Sequence, residues 1–199
     1  MRRRLLIPSG RDGEWVWASD LVPPSHWAGL DSFGASVALG ADIALVGCPF
    51  CGNSTANGAV FVFTCQGDSM RSAHAHWSLA ATLTLPTAWP PATAQGHLLG
   101  MGVAFLNGAA LVGSADRVVY GFYLVNGAWS EPEVLAPLPE LPSKSPWWLD
   151  SISMSEHVAV ATDYYAVFRT LHFFVPIDAE NITAGWRHAQ HHNNMVVRP

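Results

Sequence analysis

Three stretches of the chain repeat one order of apolar and polar positions without gaps. They are Ser36-Val-Ala-Leu-Gly-Ala-Asp-Ile-Ala-Leu-Val-Gly47, Gly102-Val-Ala-Phe-Leu-Asn-Gly-Ala-Ala-Leu-Val-Gly113 and, more loosely, Ser151-Ile-Ser-Met-Ser-Glu-His-Val-Ala-Val-Ala-Thr162. Each begins at a small residue, runs through a short apolar segment, breaks at a polar turn and resumes, which is the pattern of a β-hairpin. The Asn107-Gly108 turn is the strongest copy, because both central residues of a type I′ turn need positive φ and these two types accept it at little cost. Apolar runs this continuous predict strands buried on two faces. After each hairpin comes a further strand rich in aromatic and β-branched residues: Ala59–Phe63, Val118–Leu124, and Ala166–Phe168 leading into Leu171–Val175. A tryptophan then opens the last strand of each unit, at Trp77, Trp129 and Trp186.

Each unit therefore reads as four antiparallel strands over about 50 to 65 residues, the size of a propeller blade. The expected architecture is all-β, a partial β-propeller of four-stranded antiparallel blades. Residues 1–32 form an N-terminal remnant in which Trp15, Trp17 and Leu21 mark the closing strand of a preceding blade. The three blades occupy 33–85, 86–140 and 141–188, and 189–199 is a polar tail, expected to be poorly ordered, that holds His191 and His192. Gly34 and Gly100 fit bends where the chain enters an inner strand, and Gly47 and Gly113 fit turns of positive φ.

The string Phe33-Gly34-Ala-Ser36, followed by Val46-Gly47-Cys48-Pro49 and Gly58-Ala-Val-Phe-Val-Phe63, resembles the FG-GAP repeat of integrin-α-like β-propellers. The match loosens along the chain, with Leu99-Gly100 in the second unit and Leu149 in place of the glycine in the third. Calcium-binding members of that family hold the ion in an Asp-x-Asp-x-Asp-Gly loop with closely spaced oxygens. The corresponding segment here, Pro49 to Gly58, contains no carboxylate, so no metal is expected.

Composition narrows the function. Of 199 residues 50% are hydrophobic and 13% charged, and the net charge is -5. That leaves no basic field for a phosphate backbone, and nucleic acid is not expected as a partner. The apolar stretch from Leu98 to Ala115 approaches the length of a membrane span, but Gly100, Gly102, Gly108 and Gly113 make it a poor lipid-facing helix and a good pair of strands. Met1-Arg-Arg-Arg4 is basic like the start of a signal peptide, yet Pro8 cuts short the apolar run behind it.

Candidate chemistry is sparse. Cys48 and Cys51 form a Cys-x-x-Cys, and Cys65 is the third thiol. Without further ligands the pair is weak as a metal site, and the alternatives are a Cys48–Cys51 loop disulfide in an oxidising compartment or three free thiols. A Cys48–Cys65 bridge is out of reach if their strands are antiparallel neighbours. His74, His76, His188, His191 and His192 show no fixed metal geometry. No Gly-x-Ser-x-Gly or His-Glu-x-x-His string occurs, no catalytic residue or cofactor is identified, and the carboxylates read as solvated loop groups. Asn53 and Asn181 head Asn-x-Ser/Thr sequons in loops, and are glycan acceptors only if the chain is secreted.

The expected function is accordingly a non-enzymatic interaction scaffold, extracellular or on a cell surface, that binds a protein or a glycan. Phe50, Trp89, Trp147 and Trp148 are its candidate anchors, with packing between blades as the competing role for each. An enzyme using the propeller channel, and a fragment with no function of its own, are the alternatives. Propellers close with about 4 to 8 blades, so raw sheet edges also make self-association an expectation.

Overall fold

A computed structural model describes residues 3–8, 15–27, 32–52, 57–66, 76–87, 89, 96–116, 118–137, 148–165, 168–178 and 181–192. The chain is all-β, built of four-stranded antiparallel sheets stacked as blades of a partial propeller. Blade 1 comprises β3 (Ser36–Leu39), β4 (Ile43–Cys48), β5 (Ala59–Gln66) and β6 (His76–Leu83), paired in that order. Blade 2 comprises β7 (Val103–Leu106), β8 (Ala109–Gly113) and β9 (Val118–Val125), with β10 (Ala128–Trp129) and β11 (Glu133–Pro137) sharing the far edge of β9. Blade 3 comprises β12 (Trp148–Met154), β13 (Ala159–Tyr165), β14 (Phe168–Pro176) and β15 (Trp186–His192).

The strands follow from the repeat. Every residue of β4 and β8 is buried, as expected of apolar runs covered on both faces. Asn107 and Gly108 have φ of 45° and 84°, and Asn126 and Gly127 have 51° and 80°, so both dipeptides make the turn their types favour. The outer row of blade 2 is split at Ser130, whose N–H still donates to Tyr123 O at 2.8 Å but whose hydroxyl, in place of a backbone carbonyl, accepts from Tyr123 N at 3.0 Å. Two residues on, Pro132 has no N–H to donate.

Side chains interleave between the sheets. Leu45, Val60, Val62 and Leu83 of blade 1 meet Val112, Tyr120 and Phe122 of blade 2 in one apolar cluster. Leu111, Val119 and Leu135 of blade 2 meet Ile152, Phe174 and Trp186 of blade 3 in another. The opposite face of blade 1, with Val46, Phe61, Phe63 and Trp77, is covered by Leu21, Trp27 and Phe33. Phe33 is fully buried and meets both Phe61 and Phe63 edge to face.

Several expectations are corrected. Residues 1–32 hold more than a closing strand: β2 (Trp15–Leu21) pairs with β1 (Arg3–Pro8) as a hairpin. Arg3 Nε donates to Phe33 O at 2.8 Å, tying that hairpin to blade 1. The tail boundary at 189 falls inside a strand, because the nine-residue β14 offers a long edge and β15 continues along it, with His191 opposite His172 and His192 opposite Leu171. Gly47 and Gly113 do not take positive φ; Gly47 lies within β4, one residue from its end, and Gly113 ends β8, whereas Gly34 and Gly100 do adopt it, at 84° and 96°. What Gly47 requires is room, since a Cβ there would overlap Ser36 Oγ and Gly100 O. Among the described residues no helix is long and apolar enough to cross a membrane, and the stretch from Leu98 to Ala115 contains β7 and β8.

Candidate functional site

The β4–β5 and β8–β9 connections and the entry to β7 lie at one end of blades 1 and 2, and backbone stitches them together there. Gly58 and Leu99 form a parallel bridge, Leu99 N donates to Asn57 O at 2.9 Å, and Ser36 Oγ donates to Gly100 O at 2.8 Å. These contacts hold three features in fixed relation.

The first is a tight turn. Cys48 and Cys51 are joined by a disulfide, with Cα atoms 5.3 Å apart, and Cys51 N donates to Cys48 O at 3.1 Å. Phe50, between them, donates from its backbone N to Ser32 Oγ at 2.9 Å and is 47% exposed. Cys65 is a free, half-buried thiol at the far end of β5, separated from the disulfide by that strand.

The second is a cavity of about 350 Å³ beside this turn, lined by His26, Trp27, Cys51, Asn57, Leu85 and Thr87 among others. Among the described residues no carboxylate, lysine or arginine lines it. Asn57 Oδ1 is buried and has no hydrogen-bond partner. Trp27 is half-buried and meets Phe61 at 79° with ring centres 5.4 Å apart.

The third is a buried polar knot next to the stitch. His97 is 2% exposed, Ser114 0% and Tyr120 3%. His97 Nδ1 lies 2.5 Å from Asp116 Oδ2, Tyr120 OH donates to the same oxygen at 3.0 Å, and Ser114 Oγ donates to Asp116 Oδ1. His97 Nε2 faces Trp89 O at 3.2 Å. Histidine, serine and aspartate together suggest a hydrolase, but the connectivity is wrong for one: serine and histidine both address the aspartate, and each histidine nitrogen already faces an acceptor. Neither nitrogen is open to take a proton from a nucleophile. The knot secures Trp89 and His97 to blade 2.

Burial, reinforced by the Asp116 carboxylate, pushes the Tyr120 phenol far above its ordinary pKa of 10.0. The folded protein therefore keeps this proton at alkaline pH while the unfolded chain releases it. Stability contributed by Tyr120 is present below pH about 10 and is lost above it, by up to about 1.4 kcal/mol per pH unit. Urea unfolding between pH 9 and pH 11 is expected to show this decline, and Tyr120→Phe to make it shallower, the share that remains coming from Tyr123, whose phenol burial also pushes up; an unchanged slope in that variant would contradict the assignment.

The sequence candidates separate. Phe50 is displayed. Trp89 is taken up by packing instead, tilted at 32° against Tyr120 in the core between blades 1 and 2. Trp148 begins β12 at the corresponding end of blade 3, opposite Tyr164. Trp147 and Asn53 lie outside the described residues. Asn181 is exposed at the opposite end, where its Oδ1 accepts from Thr183 N at 3.2 Å and from Thr183 Oγ1 at 2.7 Å. The cavity and the polar knot are features the sequence reading missed. The available signal for the knot was Ser114-x-Asp116, a polar pair directly after an apolar strand.

Residues 15–63 match the family model of the FG-GAP repeat. No curated protein matches the chain.

Proposed function

We propose that this chain, a propeller segment carrying an FG-GAP repeat over residues 15–63, is a non-enzymatic interaction module that grips a protein or glycan partner with the end of blades 1 and 2. The observation that carries the reading is Phe50, an aromatic side chain 47% exposed on a turn closed by the Cys48–Cys51 disulfide. An aromatic side chain on a turn held by a disulfide loses little entropy on binding. The disulfide suits an oxidising compartment, which agrees with an extracellular or cell-surface setting. His97, Ser114 and Asp116 serve the scaffold, since their polar atoms are engaged with one another and with backbone carbonyls.

Partner capture by the purified chain, saturable and competed by untagged chain, tests the reading. Phe50→Asp is expected to weaken it by about tenfold or more, the loss typical of a central anchor. Val125→Asp is the control, because Val125 is 49% exposed on a turn at the opposite end and should leave capture unchanged. Equal effects of the two substitutions would overturn the proposal.

A further inference from the structure

We propose that the open edge of β1, together with Val37 and Leu39 on β3, is an acceptor for a β-hairpin of a partner protein, of the same kind as the first hairpin of each blade. The repeat carries the argument. Val37 and Leu39 align without gaps with Val103 and Phe105 of β7 and with Ile152 and Met154 of β12. In blades 2 and 3 these positions meet the preceding blade and are covered: Val103 and Ile152 are buried, with Phe105 and Met154 packed beside them. What covers them is the inner hairpin of that preceding blade, since β7 packs on β3 and β4, and β12 packs on β7 and β8. Val37 and Leu39, opposite Val46 and Ala44, lie on the corresponding face of blade 1, yet they are 66% and 55% exposed.

The sheet in front of blade 1 explains the difference. β2 runs beside β6 and leads into β3, as the last strand of a blade does, and β1 pairs with it in the place of a third strand. In each of the three blades the third strand also bonds to the second strand of the hairpin, as β5 to β4, β9 to β8 and β14 to β13. Among the described residues β1 pairs with β2 alone. Leu21 and Trp27 accordingly cover the outer strands of blade 1 at Phe61 and Trp77, while the inner strand stays open at Val37 and Leu39. A hairpin added there would bond its backbone to β1 and lay alternate side chains on Val37 and Leu39, combining strand addition with the packing seen between the other blades. The chemistry of the donor follows from β7 and β8, which meet blade 3 through Ala104, Leu106 and Leu111: small and aliphatic side chains, on a segment from Gly102 to Gly113 that holds no charged residue.

The probe is a peptide of the sequence Gly102–Gly113, cyclised through a lysine-bearing linker so that it is held as a hairpin, and calorimetry with the full chain reads its binding. A dissociation constant on the order of 10 μM is expected. Hydrogen exchange should slow at the β1 amides that do not bond to β2. Val37→Asp and Leu39→Asp should each weaken binding at least tenfold with little change in melting temperature, because both side chains already face water in the free protein. Val125→Asp, on an exposed turn of blade 2, should leave it unchanged. Absence of binding to folded protein at about 1 mM, far above that constant, overturns the proposal. So does equal binding of a cyclic peptide of scrambled sequence, or binding that both aspartate variants leave intact. Two further results would give the surface to another occupant and overturn the proposal as well. Edge amides of β1 that exchange slowly before any peptide is added would mean that the chain covers the edge itself, and a dimer that Leu39→Asp dissociates and the peptide does not would mean a second copy.

Discussion

Gly58→Ala is expected to destabilise the protein by on the order of 4 kcal/mol, enough to remove a large part of the 5–15 kcal/mol typical of a domain. Gly58 has φ of 73°, where an L side chain costs about 1–2 kcal/mol. The larger part comes from space, because a Cβ there would overlap both N and O of Leu99, backbone atoms that cannot swing aside. Relief requires opening the bridge between Gly58 and Leu99, and with it the stitch that joins blade 1 to blade 2. Gly127→Ala is the matched control: its φ is 80°, yet nothing lies within 4 Å of the added Cβ, so only the conformational cost remains. Chemical denaturation of the two variants separates the contributions. Hydrogen exchange adds a local readout, since Leu99 N, bonded to Asn57 O, should lose protection in Gly58→Ala and keep it in Gly127→Ala. Equal losses of stability in both would show that the two backbones do not meet as described.

Asp116→Ala should be comparably damaging, by about 3–5 kcal/mol. The carboxylate is the shared acceptor for His97 Nδ1, Ser114 Oγ and Tyr120 OH, and its side chain is only 3% exposed. Alanine would leave these groups facing a void. Ser114 still has Val118 O at 2.8 Å, so His97 and Tyr120 bear most of the loss. Asp116→Asn retains one acceptor oxygen and should cost less. Urea denaturation ranks the series as wild type, Asn, Ala in falling stability; an alanine variant as stable as wild type would mean that the knot is not what secures His97 to blade 2.

Local chemistry made much of this fold legible. Asn107-Gly108 and Asn126-Gly127 announce their turns because positive φ is a property of those residue types and needs no tertiary context. Apolar runs such as Ala109–Gly113 show double-sided burial for the same reason. The polar knot is different: His97 and Asp116 are 19 residues apart in sequence, and only the packing of His97 onto blade 2 brings them together. The cavity was hidden likewise, since Trp27, Asn57 and Thr84 come from three separate connections. Phe50 lies between, placed in a loop by its sequence and shown to be displayed by its surroundings. Strand β15 was read too short because its histidines look like a soluble tail, and the edge of β14 that pairs with them is a property of the sheet.

The central claim is that the end of blades 1 and 2 is the surface that meets a partner. Site-specific photo-crosslinking tests it most directly, with a benzophenone side chain replacing Phe50 in one protein and Val125 in a second. The account predicts partner adducts at position 50, suppressed by excess unlabelled chain, and background yield at position 125. Equal yields at the two positions, or adducts concentrated at 125, would contradict it.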